Sequence, residues 1–143
     1  MGVAARLATQ RASDPAALEA WHARREAFEV RLVSELPGGA TVNGAAAPRV
    51  PGTTSLTLPE LPAPEVLAYL DTLGVEASAG SACSAHRVAP SPVLLAMGRT
   101  EDEASSTLRL SQGHGTTATE LDRAVEALVE AVGTLRQLRG LAE

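Results

Sequence analysis

The chain has 143 residues, 45% hydrophobic and 20% charged, which suits one domain; at this size roughly 70% of the unfolded surface can be buried, enough for a core of its own. Twelve basic against seventeen acidic residues leave a net charge of −5, and aromatics are 2% of the chain, which argues against a nucleic-acid or anionic-membrane partner. No apolar run nears the roughly 18 residues of a membrane span, Met1–Gln10 lacks the pattern of a secretion signal, and the single cysteine, Cys83, excludes an internal disulfide and fits a reducing compartment, with the cytoplasm expected.

Val3 to about Ser13 reads as a weak helix. Asp14-Pro15 then reads as an N-cap followed by proline at the first helical position. Leu18, Trp21, Arg25, Phe28 and Leu32 recur at three- and four-residue spacing, so one face of this second helix is apolar until Leu36-Pro37-Gly38-Gly39 ends it. Short strands are expected near Ala40–Asn43 and Thr53–Leu58; in the second, Leu56 and Leu58 alternate with Ser55 and Thr57. Leu61-Pro62-Ala63-Pro64 leads into a helix carrying Val66, Leu67, Leu70 and Leu73, with Gly74 as its cap. A brief strand is expected over Val75–Ala77.

Ser78 to Ala85 contains no large side chain and reads as a loop with low barriers to movement. A short helix, about Ser91 to Met97, closes at Gly98. Thr107 to Ser111 alternates cleanly, with Leu108 and Leu110 on one face and Arg109 on the other. Gly113-His114-Gly115 reads as a strand-to-helix turn, since it lacks the lysine and spacing of a phosphate loop. The last helix opens on the capping box Thr117-Ala118-Thr119-Glu120 and carries Leu121, Val125, Leu128, Val132 and Leu135; Arg136 and Arg139 suit its C-terminal end. This order predicts an α+β fold, a small, mostly antiparallel sheet covered by helices.

Cys83 is the first candidate for chemistry. Its small neighbours leave the sulfur reachable, and His86 and Arg87 lie where a cation would favour thiolate; a free cysteine is also commonly a small buried hydrophobe. Arg109 is the second: a strand arginine opposite an apolar face can hold a carboxylate by a two-pronged hydrogen bond, or stand as a solvated surface arginine. His22, His86 and His114 show no metal-ligand spacing, and no metal site is expected. All twelve basic residues are arginine, so the chain cannot form a lysine Schiff base.

Gly80-Ser81-Ala82-Cys83-Ser84 resembles the cysteine loop of group I cysteine desulfurases, pyridoxal-phosphate enzymes of the class V aminotransferase superfamily. Ala89-Pro90-Ser91-Pro92-Val93-Leu94-Leu95-Ala96-Met97-Gly98 follows at matching spacing, and Leu108-Arg109-Leu110-Ser111-Gln112-Gly113 resembles the family's Arg-x-Ser strand. Thr116-Thr117 and Glu120–Val125 resemble the start of its last helix; Arg49-Val50-Pro51 resembles its approach to the small domain. Gly52, Pro92 and His114-Gly115 depart from the residues common there.

The resemblance implies the C-terminal, small domain of fold type I pyridoxal-phosphate enzymes, with residues 1–13 a remnant of the connecting helix and 14–143 the small domain carrying the cysteine loop (78–90). By position Cys83 would be the catalytic nucleophile and persulfide carrier. Arg109 would bind the substrate carboxylate, and Gly80, Ser81, Ala82, Ser84 and His86 would form the flexible catalytic loop. Pyridoxal 5'-phosphate is implied by the family and would be bound by a large domain not present here, from the same gene or a separate subunit. No cofactor is expected on this chain alone, and it would not be competent alone. The further partners implied are a sulfur-acceptor protein in iron–sulfur cluster assembly and a second copy in a homodimer. The alternative is a stand-alone persulfide carrier or interaction module, or an inactive remnant without cofactor chemistry.

Overall fold

The computed structural model describes residues 2–79 and 90–141. In chain order these form α1 (Gly2–Ala12), α2 (Pro15–Glu35), β1 (Thr41–Val42), β2 (Thr53–Thr57), α3 (Ala63–Thr72), α4 (Pro92–Ala96), α5 (Glu101–Ser105), β3 (Thr107–Ser111) and α6 (Ala118–Arg139).

Local chemistry sets the helix ends. The Asp14 carboxylate accepts from the Ala17 amide at 3.1 Å and Pro15 opens α2. At the other end of α3, Val75 N–H returns to Leu70 O and Gly74 N–H to Asp71 O, both at 3.0 Å. That paired closure needs a left-handed residue, and Gly74 supplies it at φ 72°. Helix α6 closes in the same way through Leu141 and Gly140.

The three strands lie in the order β1-β2-β3, every pair antiparallel, with Leu56 opposite Leu108 and Ser55 opposite Arg109. Alternation then sorts the two faces. Thr54, Leu56, Leu108 and Leu110 face the helices, where Phe28 and Leu32 of α2, Val66 and Leu70 of α3, and Val125, Leu128 and Val132 of α6 complete the core. Leu56, Leu108 and Leu128 are fully buried, each contributing about 1.5–3 kcal/mol of transfer free energy. At one end of β2 the packing is close: a Cβ on Gly52 would lie 2.6 Å from both Gln112 O and Trp21 Cζ2, so the indole of α2 rests directly on that backbone.

The expected fold class holds, and three local expectations are corrected. Val75–Ala77 is not a strand; among the described residues the pairing beside it is a single bridge between Ser78 and Arg109, because the chain leaving the closure at Gly74 reaches β3 only at Ser78. Strand β1 is shorter than expected, although Asn43 N–H still reaches Ser55 O at 2.8 Å. Helix α5 was not expected. It is one turn with a single buried residue, Ala104, so it shows no apolar period, and the capping box of Thr100 and Glu103 defines it.

The second capping box makes a pH-dependent contact. The Glu120 carboxylate accepts from the Thr117 amide at 2.7 Å and the Thr117 hydroxyl at 2.8 Å. The backbone hydrogen bond foremost holds its pKa below the ordinary value of 4.5. A depressed carboxylate pKa stabilises the fold above the unfolded value and loses that contribution as pH falls through the folded one. An NMR pH titration of the Thr117 amide is therefore expected to show a midpoint below 4.5. Thr117→Ala should raise the midpoint by removing the hydroxyl bond, and Glu120→Gln should abolish the transition.

Candidate functional site

The sheet face turned away from the core carries Thr53, Ser55 and Thr57 of β2 and Thr107, Arg109 and Ser111 of β3. Helix α4 stands beside this face, and together they enclose a cleft of about 480 Å³ whose walls include Asn43, Arg49, Ser55, Val93, Met97 and Arg109. Its floor is hydrogen-bonded across the sheet. Asn43 Nδ2 donates to Ser55 Oγ at 3.1 Å and to Thr57 Oγ1 at 2.9 Å. Thr57 and Thr107 share a hydroxyl bond of 2.8 Å, and Thr107 Oγ1 donates to Glu103 O at 2.6 Å. Asn43 Oδ1 is buried without a partner among the described residues.

Arg49 and Arg109 both line the cleft, but their charges are used differently. Arg49 donates to both oxygens of Glu29 at 2.7 Å, and this bidentate bond raises its pKa. Thr54 Oγ1 donates to the same carboxylate at 2.8 Å, and Arg25 Nε lies 3.7 Å from it. Glu29 is 7% exposed. Arg49 is thus neutralised within the wall. Arg109 is exposed, and among the described residues its guanidinium has no hydrogen-bond or ion-pair partner. Among the described residues that line this cleft, it is the cation that remains available to an anionic ligand.

The backbone of Arg109 has one other neighbour. Its N–H donates to Ser78 O at 2.6 Å, and Ser78 N–H donates to Arg109 O at 3.1 Å. Ser91, on the far side of residues 80–89, lines the cleft itself. One described flank of that segment is therefore bonded to the strand that carries Arg109, and the other lines the same cleft. Cys83, with Gly80, Ser81, Ala82, Ser84 and His86, lies outside the described residues. Of the other histidines, His22 is half-buried on α2 and His114 is exposed in the turn before α6. Among the described residues no group of three metal-ligating side chains occurs.

Alternation along β3 is enough to place Arg109 on the open face. The sequence reading missed Asn43, Ser55 and the Glu29–Arg49 pair. Asn43 precedes Gly44 and looks like an ordinary turn residue, while Ser55 could have been noted from the same alternation that marks Leu56 as core.

No family model matches the chain. It is 37% identical to a cysteine desulfurase of Frankia sp. (strain EuIK1), over 96% of this chain and 32% of that protein. It is 39% identical to the cysteine desulfurase IscS of Anaeromyxobacter sp. (strain Fw109-5), over 72% of this chain and 25% of that protein. The solved structure of a NifS-like protein from Rickettsia africae superposes on 92% of this chain and 33% of its own, with a TM-score of 0.76 and 27% identity. The chain thus spans 25–33% of these relatives' lengths.

Breaking the Glu29–Arg49 pair from one side leaves a charge buried, and the Arg49→Met variant is expected to lose about 3 kcal/mol in urea unfolding. The double variant Glu29→Gln/Arg49→Met should recover part of that loss. A single-variant cost under about 1 kcal/mol, the range of exposed pairs, would contradict a buried role.

Proposed function

We propose that this chain, a relative of the cysteine desulfurases along most of its length, is their C-terminal small domain and accepts sulfur from L-cysteine on Cys83. One observation carries the reading: a guanidinium without a partner among the described residues, on Arg109, stands in a cleft lined by Ser91 on one flank of the Cys83 segment, while Ser78 on the other flank is bonded to the Arg109 backbone. Arg109 holds the carboxylate of the amino acid. The Cys83 thiolate receives its sulfur. In the net reaction the substrate's C–S bond breaks, an S–S bond forms on Cys83, and the substrate's thiol hydrogen ends in the methyl group of alanine. Atoms and charge balance with no external oxidant.

Pyridoxal phosphate, on which such enzymes depend, does not fit this chain as its carrier. Its aldehyde needs a lysine amine, and the chain has none. We assign that cofactor to a larger domain, in the same polypeptide or in a separate subunit, and derive no step through it from these residues. Residues 14–143 then form the small domain and residues 1–13 the end of the connecting helix. Helix α1 supports this division. None of its eleven residues is buried, and Val3 and Leu7 stand exposed on one face. A helix this short is marginal without packing partners. In the same reading a sulfur-acceptor protein of iron–sulfur cluster assembly takes the persulfide sulfur, in the cytoplasm, and a second copy of the enzyme forms a homodimer.

Incubation with L-cysteine, pyridoxal phosphate and the lysine-bearing large domain of a cysteine desulfurase tests the reading. The chain alone should release no alanine. The mixture should release alanine and leave this chain heavier by one sulfur atom in intact-mass analysis. Cys83→Ser should gain no sulfur. Arg109→Ala should lower kcat/KM at least tenfold, about 1.5–3 kcal/mol for hydrogen bonds to a charged group. An unchanged mass of the wild-type chain in the complete mixture would refute the assignment.

A further inference from the structure

We propose that Ser55 is a second binding residue for the ligand carboxylate, its hydroxyl held proton-outward by the side-chain network beneath the cleft. The inference rests on reading Arg109 as the carboxylate site. Its support is the direction in which each hydrogen bond must run.

The network ends at the Glu103 carbonyl, which can only accept, so the Thr107 hydroxyl hydrogen is committed to it at 2.6 Å. The 2.8 Å bond between Thr57 and Thr107 must then be donated by Thr57. With its single hydrogen used, Thr57 can only accept from Asn43, which requires the Nδ2 side of the amide to face it at 2.9 Å. The other Nδ2 hydrogen goes to Ser55 Oγ at 3.1 Å. Ser55 is therefore an acceptor within the network, and its own hydrogen has no acceptor among the described residues. That hydrogen is available to the cleft that Ser55 lines.

The register brings this donor beside Arg109. Ser55 and Arg109 are directly opposite, and the Arg109 backbone bonds outward to Ser78 rather than inward to β2. They form the closer, non-hydrogen-bonded kind of antiparallel pair, with Cα atoms about 4.5 Å apart. A carboxylate has two oxygens and about four acceptor sites. The guanidinium fork can fill two and the Ser55 hydroxyl a third.

Titration of the 143-residue chain with acetate, followed by amide NMR at constant ionic strength, tests the proposal directly. Wild type is expected to show saturable shifts at Ser55 and Arg109. Ser55→Ala should weaken acetate about tenfold or more, the range of one hydrogen bond to a charged group, while Ser55→Thr should restore it. Thr57→Val leaves Ser55 in place but releases the amide orientation, and it should also weaken acetate. Equal binding by wild type and Ser55→Ala, or no acetate shift in wild type, would overturn the proposal. Turnover separates it from the broader reading. An unchanged KM for L-cysteine in Ser55→Ala, with alanine still formed, sinks the Ser55 role alone. Absence of alanine in the wild-type mixture, with Ser55-dependent acetate binding intact, sinks the desulfurase reading alone.

Discussion

One buried carboxylate, that of Glu29, organises the described residues. Glu29 projects from α2 into a region with little water, where an unpaired charge would cost several kcal/mol. Arg49 neutralises it from the β1–β2 connection, Thr54 bonds it from the start of β2, and Arg25 approaches along the same helix. Helix α2 is thereby tied to the β1–β2 connection and to β2, some twenty to twenty-five residues along the chain. The buried leucines provide most of the favourable free energy, but they are chemically alike and tolerate sliding. The bidentate pair does not, because its geometry admits one register of the connection against the helix. Arg49, held in this way, forms part of the cleft wall.

The sheet divides stability from function between its two faces. Leu56, Leu108 and Leu110 are committed to the helices, and the residues between them are left to a polar surface that packing does not dictate. That surface is nevertheless ordered, because Asn43, Thr57, Thr107 and the Glu103 carbonyl bond one another across all three strands. Order without burial of apolar bulk is what a small polar ligand requires.

What could be read in the sequence was what is local. The capping box and apolar spacing of α6, the Asp14-Pro15 start of α2 and the Gly74 closure of α3 each depend on residues within one or two turns. Arg109 was legible because strand alternation is equally local. Helix α5 escaped because a single turn with one buried alanine has no period to detect. The Glu29–Arg49 pair joins residues twenty apart, and the Ser78–Arg109 bridge joins residues thirty-one apart. Such contacts exist only once the chain has folded. The place of Ser55 on the open face was legible from alternation, but its donor character was not, since that is imposed by an asparagine from another strand's end.

The contact between Trp21 and Gly52 gives the molecule an intrinsic optical reporter. Trp21 is the only tryptophan, and its ring lies where α2 crosses the start of β2 and the residue that follows β3. Its emission therefore senses whether helix and sheet remain docked, and separation of the two layers changes it.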